Sequence, residues 1–396
     1  MNIPKSEFKQ RMETLQQNVM KHKLDAFVVS EEESIYYLTG LTYKSLERLF
    51  VLVVKSDKVT FIVPKMELAH LKHVKNVDEL KYYWEYPAKE GERWEDILID
   101  EIKKCKTIGV ENKTPFEIYA LLKSVTFQIQ ECSLLNQQRW IKSSNEIELI
   151  KIASKYCETA IHQLNANCYY GMTELEILGI GKNIQRSIIA ETDFDYLASS
   201  ILVAAWPSRI SFQPHGIPKV DDKLIEGSHI SLAFLRVNGY AAELERTFFT
   251  KKPTNEQKNI FRIMLEARKK SYKILREGIP SEEVDLASKH FLEKEGLGNN
   301  IMHRTGHGIG LGNHEEPFLA EGDKTILKEN MVVSIEPGIY IEGIGGFRHS
   351  DTVRITKNGF EVLTNCVDEI EDLTFENFNL ISRIKGVIAK KMFKIK

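Results

Sequence analysis

No apolar run in this chain of 396 residues is longer than Leu49–Val54, far short of the roughly 20 residues that cross a bilayer. The start, MNIPKSEFKQR, is charged and no apolar stretch follows it, so no signal peptide is read there and the expected compartment is the cytoplasm. Cysteine is scarce: five residues, at 105, 132, 157, 168 and 366, with no C-x-x-C pair. An odd count at wide spacing points to reduced thiols and excludes a disulfide framework. Charge of one sign is also missing. Lys and Arg total 54 against 56 Asp and Glu, a formal net charge of -2, which excludes a globally basic nucleic-acid binder. Glycine and proline, 23 and 11 residues, are too few for a collagen-like or disordered chain.

What remains is an ordinary globular composition in a chain longer than one small core organises, so two domains are expected. Residues 4–23 form a polar helix candidate. Leu24–Ser30, Leu49–Val54, Lys58–Pro64 and Thr107–Glu111 are apolar runs of strand length, some separated by helical stretches, which predicts an α/β domain over residues 1–138. Capping boxes at Ser143-x-x-Glu146, Thr173-x-x-Glu176 and Thr254-x-x-Gln257 predict three helix starts. Strand-like runs follow at His229–Leu235, Gly239–Phe249, Met331–Glu336 and Gly346–Ile355, so residues 139–370 are expected to be α+β. Residues 371–396 form a basic C-terminal extension. From Leu380 on, apolar residues recur at helical spacing with Lys between them, which predicts a terminal helix docked on the body rather than a membrane contact.

Several strands carry polar residues that a plain scaffold does not need. His303, His307 and His314 fall in one Gly-rich segment, where glycine lets backbone approach closely and exposes imidazoles. Glu336 ends an apolar run stopped by Pro337-Gly338. Glu243 and Glu245 stand two apart in a strand, so both carboxylates share one face. Like charges that close require a cation: a metal, a substrate group, or Arg246 from elsewhere. His215 sits between Pro214 and Gly216 in a turn, a fixed place for proton transfer. Arg48 precedes an apolar strand and is read as an anion clamp or a plain surface residue.

Ile141-Lys-Ser, HGIP, GYAAELERTF, HRTGHGIGL, HEEP, SIEPGIY and GGFRHSDTV, in this order, resemble the pita-bread superfamily of creatinase, prolidase, aminopeptidase P and methionine aminopeptidase. The resemblance implies a smaller creatinase-type N-terminal domain and a pita-bread catalytic domain. It also implies, for the metallopeptidases of the group, two divalent ions held by Asp, Asp, His, Glu and Glu. Those positions fall here on Leu232, Glu243, His307, Glu336 and Ser350, so two carboxylates are missing. The pattern then resembles metal-independent creatinase, which has an element like Leu244-Glu-Arg-Thr247. By that likeness His215 is the catalytic imidazole, Glu245 and Glu336 take a guanidinium, and Arg48 reaches the substrate carboxylate from a partner subunit.

The expectation is therefore a cofactor-free hydrolase of a C–N bond in a small, carboxylate-bearing substrate, working as a homodimer without nucleic acid. His215, Glu245, Glu336 and His307 are its catalytic candidates, and Glu243, His314, Arg48 and Arg348 its substrate-binding ones. One alternative is a metal-dependent Xaa-Pro dipeptidase or aminopeptidase, acting on short peptides with one weakly held Mn, Co or Zn ion at Glu243, His307 and Glu336. Another is a non-catalytic peptide-binding module of the same fold.

Overall fold

Short runs rich in Val, Ile and Phe and bounded by turn residues fit the pleated, buried surface of a sheet. The computed structural model describes residues 2–72, 74–126, 128–376 and 380–394, and they divide into two compact units, Asn2–Arg139 and Trp140–Lys396. In the first unit β1 (Ala26–Val29), β2 (Val51–Val54), β3 (Val59–Pro64), β4 (Glu79–Tyr83), β5 (Thr107–Val110) and β6 (Gln128–Glu131) form one sheet in the order β4-β3-β2-β1-β5-β6. The pairs β1/β2 and β2/β3 are antiparallel and the other three are parallel. Helices at Lys5–Lys21, Trp94–Ile102 and Phe116–Val125 accompany the sheet, which makes this the expected α/β unit.

The second unit contributes β7 (Ser200–Trp206), β8 (Ser228–Val237), β9 (Tyr240–Phe249), β10 (Gly306–Gly308), β11 (Glu315–Leu319), β12 (Val332–Ile335), β13 (Gly338–Ile341), β14 (Gly345–Arg348), β15 (Ser350–Thr356) and β16 (Gly359–Val362). An eight-stranded antiparallel sheet runs β11-β10-β12-β15-β9-β8-β7, with β16 on β15, and β13-β14 is a separate ribbon. All three capping boxes form. Helices Ser144–Asn167, Glu174–Glu191 and Asn255–Ile274 start where they predict. The first of these lays Cys157, Ala160, Ile161 and Leu164 against Ala233, Leu235, Ala242 and Leu244 of β8 and β9 in one apolar cluster. That packing claims the even positions of β9, so Glu243 and Glu245 are left for the opposite face.

Two expectations change. The run Gly346–Ile355 is two strands in different sheets, because Thr247 Oγ1 takes the Arg348 N–H and gives its proton to the Arg348 carbonyl, and the chain bends at buried His349. The terminal helix Leu380–Met392 does dock, but through Ser382 and Gly386, and its apolar residues point away from the body. Ile395 and Lys396 of that tail lie outside the described residues.

Close approach of β14 to the loop after β7 depends on Gly346. A Cβ there would land on the Ser211 carbonyl, while the Gly346 N–H donates to Ser211 Oγ at 3.0 Å. Gly346→Ala is expected to cost about 1–3 kcal/mol, the usual penalty of overpacking, and to lower the melting temperature. Gly179, exposed in the helix Glu174–Glu191 with open space around its Cβ position, should behave oppositely. Gly179→Ala is expected to stabilise by about 0.5–1 kcal/mol in the same thermal melt.

Candidate functional site

Asn238 and Gly239 both adopt positive φ, the two-residue turn that matches strand twist, and they fold β9 back on β8 with Val237 opposite Tyr240. This register sets Leu232 directly across from Glu245 and Phe234 across from Glu243. All four line a cavity of about 300 Å³, together with Trp206, His215, His303, Arg304, His314, Glu336 and Arg348. β9 is buried along its whole length, so its two carboxylates must be compensated inside the protein.

Glu245 is compensated by the chain itself. Arg348 Nη2 donates to Glu245 Oε1 at 2.8 Å and Nε donates to Oε2, a bidentate pair. Arg348 Nη1 donates to the Tyr340 hydroxyl at 2.8 Å and to the Pro214 carbonyl at 3.4 Å, next to His215. Burial works against the guanidinium's charge, but Glu245 and Glu336 outweigh it and move its pKa further up. Glu245 and Arg348 were both expected to hold substrate groups, and the structure has them hold each other. Arg246 does not supply the cation: strand alternation turns it to the other face, where Nη2 donates to Asp351 at 3.1 Å.

Glu243 is compensated differently. Ser350 Oγ donates to Glu243 Oε1 at 2.7 Å, and the other oxygen lies 3.6 Å from His307 Nε2. Glu336 Oε1 is 3.2 Å from that same nitrogen. Nε2 is buried and makes no aligned hydrogen bond with either carboxylate. Burial lifts Glu243 to about 7, against the pull of His307. Burial pulls His307 down, yet Glu243 and Glu336 push it up to about 9. Burial alone would raise Glu336, but His307 draws it down to about 2. His314, on the loop before β11, brings its ring centroid to 3.9 Å from that of His307. Burial and the nearby His307 bring His314 down to about 4.

One ligand atom each from Glu243, His307 and His314 lies within 4.8 Å of the others. An unbonded buried imidazole nitrogen between carboxylates, with a second imidazole beside it, suits one divalent ion of the Mn, Co or Zn class. A second ion does not fit. Leu232 offers no donor, and Ser350 spends its hydroxyl proton on Glu243.

His215 lies exposed in its turn and lines the cavity. Arg48 belongs to the first unit, where its guanidinium pairs with Glu85 at 3.0 Å and Glu47 at 3.1 Å. Tyr340 and His303, whose hydroxyl and Nε2 are 2.8 Å apart, join the site without being among the expected catalytic or binding residues, as does the apolar wall of Trp206, Leu232 and Phe234. His303-x-x-x-His307 was the available signal for His303. The aromatic wall has none, because alternation alone does not say which face meets a cavity.

The Glu245–Arg348 pair yields a direct test. Glu245→Gln leaves a buried guanidinium with a neutral partner and is expected to cost about 3–5 kcal/mol in denaturant unfolding. Glu245→Leu combined with Arg348→Met should cost much less than the two single changes together, the non-additivity of a coupled pair.

Residues 148–357 match Metallopeptidase family M24, and residues 11–143 match the Creatinase/Prolidase N-terminal domain. A Xaa-Pro dipeptidase of Pyrococcus horikoshii is 29% identical over 357 residues, covering 88% of this chain and 95% of its own length. A putative dipeptidase of Bacillus subtilis (strain 168) is 30% identical over 355 residues, covering 86% of this chain and 93% of its own. The crystal structure of the prolidase from Pyrococcus horikoshii OT3 superposes with a TM-score of 0.78 at 26% identity, covering 91% of this chain and 99% of that one. These findings overturn the expectation of a cofactor-free site, since the matched family is one of metallopeptidases and its prolidase-type members are the near relatives. Positions 232 and 350 offer no carboxylate, and His314 is a donor that the five-ligand pattern does not include. The chain is a hydrolase of metallopeptidase family M24, in the creatinase, prolidase and aminopeptidase P superfamily, with a creatinase-type domain ahead of its pita-bread unit.

Proposed function

We propose that this protein is a metal-dependent dipeptidase that cleaves Xaa-Pro dipeptides with a single divalent ion. The observation that carries the reading is the cluster of Glu243, His307 and His314 around the unbonded, buried His307 Nε2. Its relatives' names, Xaa-Pro dipeptidase and prolidase, support the substrate class. So does the cavity. About 300 Å³ is at the small end of ligand pockets, enough for a dipeptide and not for a long chain. Trp206, Leu232 and Phe234 give it an apolar side against which a proline ring packs.

Glu243, His307 and His314 would hold the ion, with Glu336 beside them, and the ion would supply Lewis acidity and charge neutralisation when bound. His215 moves a proton between water and the leaving nitrogen at its imidazole. Arg348, locked by Glu245 and Tyr340, keeps a fixed positive charge on the cavity wall and steadies the Pro214 carbonyl beside His215. The reading includes a reducing compartment, the cytoplasm, which the five free cysteines support. A homodimer is carried over from the family resemblance.

Metal binding should displace protons. His307, pushed up to about 9, carries a proton at neutral pH that an ion must replace. Calorimetric titration with Mn²⁺ at pH 7.5, in buffers of different ionisation enthalpy, should show about one proton released per ion, and His307→Gln should abolish both binding and release. In the metal-free protein the sign is fixed by the same shift. Stability that this group contributes below its ordinary value of 6.5 is lost as pH rises through about 9, so the melting temperature should fall over that window.

The function itself is tested on a substrate panel. Xaa-Pro dipeptides should be hydrolysed, turnover should stop in chelator, and Mn²⁺ or Co²⁺ should restore it. Guanidino acids resembling creatine should not be turned over. His215→Ala should lower kcat by about 10²–10⁴-fold with KM little changed. Turnover of Xaa-Pro substrates that survives exhaustive chelation would remove the metal from the reading.

A further inference from the structure

The helix Leu380–Met392 is set with its apolar side outward. Leu380, Ile381, Ile384, Val387, Ile388 and Met392 are 51–68% exposed and fall on one arc of the helix. Its rotation is fixed from the opposite side. A Cβ at Gly386 would overlap the Tyr169 hydroxyl and Glu176 Oε1, so glycine alone allows this approach. Ser382 Oγ donates to Asn167 Oδ1 at 3.1 Å, and Lys390 Nζ donates to the Gly171 carbonyl at 3.2 Å and lies 3.6 Å from Glu176. A helix anchored by a small and polar stripe cannot roll to bury its apolar one without breaking these bonds.

Positions 380–394 contain five Lys and Arg and no acid; Arg383 and Lys390 lie against the body at Tyr169, and Lys385, Lys391 and Lys394 are exposed. Beneath the helix runs a groove of about 820 Å³, to which the helix Glu174–Glu191 contributes Leu178, Lys182 and Arg186 and the terminal helix Lys385. Lys182, Arg186, Lys385, Lys391 and Lys394 are exposed and make no ion pair among the described residues. No described helix is long and apolar enough to cross a membrane, so any lipid contact here is in the plane of the surface.

We propose that this face docks on an anionic phospholipid surface, with Ile381, Ile384, Ile388 and Met392 entering the headgroup boundary and the surrounding lysines and Arg186 meeting lipid phosphates. An apolar stripe flanked by exposed cations is the composition that binds such an interface. A second copy of the chain is the weaker occupant. A symmetric contact brings a patch onto itself, and this one would set unpaired cations against the same cations with no acid on the helix to answer them.

The test is co-sedimentation of the full chain with vesicles of phosphatidylcholine, with and without phosphatidylglycerol. Binding is expected only to the anionic vesicles, falling steeply as salt is raised. Lys385→Ala, Lys391→Ala and Lys394→Ala should each weaken it about fivefold, the effect of one basic residue at such a surface. Ile384→Ser with Ile388→Ser should abolish it at an unchanged melting temperature, since both side chains are exposed. Absence of sedimentation with anionic vesicles overturns the proposal, as does equal binding by the Ile384→Ser, Ile388→Ser protein. It is also overturned if, without lipid, that double change turns a dimer into a monomer in analytical ultracentrifugation, which would make the face a self-interface.

Discussion

Asn238 and Gly239 sit at positive φ, and a two-residue turn of that kind locks the strands it joins into one register. A slip of one residue would send Glu243 and Glu245 into the apolar cluster under the sheet and turn Ala242 and Leu244 toward the cavity. The rest of the site answers to that register. It buries two carboxylates on one face of a strand that is covered on both sides, and it obliges other elements to bring positive charge to them. Arg348 arrives from the ribbon β13-β14, and His307 from β10, one strand in from the edge of the large sheet.

The two compensations differ in kind. Glu245 and Arg348 form a closed pair, bidentate and further tied to Tyr340, with little left to offer a ligand. Glu243, His307 and Glu336 form an open one. The proton on His307 lies between two carboxylates without an aligned bond to either, and His314 lies against the ring. A buried group left with unspent bonding capacity marks a place for something else to bind. The cavity is thus divided between a half whose charges close on each other and a half with bonding capacity left over.

Much of this was legible in the residues. The capping boxes mark the three helix starts, and apolar runs mark β1, β2, β3 and β5 of the first unit, while the more polar β4 and β6 carry no such run. The i, i+2 spacing placed Glu243 and Glu245 together on one face, and the ordered segments from HGIP to GGFRHSDTV gave the fold. What sequence could not give was partnership across space. Arg348 and Glu245 are 103 apart in the chain and nothing in their spacing says that they meet. Arg246, adjacent in sequence, was the nearer candidate and faces away. The seven-residue interval from His307 to His314 contains a β-bulge at His307/Gly308 and a loop, so their stacking depends on a fold-back that periodicity does not encode. The terminal helix docks as expected, but amphipathicity identifies two faces without saying which one docks, and Ser382, Gly386 and Lys390 decide that here.

Leu232 and Glu245 face each other across β8 and β9, and by the family resemblance the metallopeptidases of the group carry an acid at the first of these positions and creatinase carries one at the second. A chain with acids at both would crowd two buried charges around one guanidinium. A chain with neither would leave Arg348 with no carboxylate at that distance. Both arrangements are penalised, so shifting a carboxylate from one strand to its neighbour one residue at a time would pass through a penalised state, the pattern of reciprocal epistasis. Among homologues the two positions should covary as a switched pair, and the identity of one should report the identity of the other.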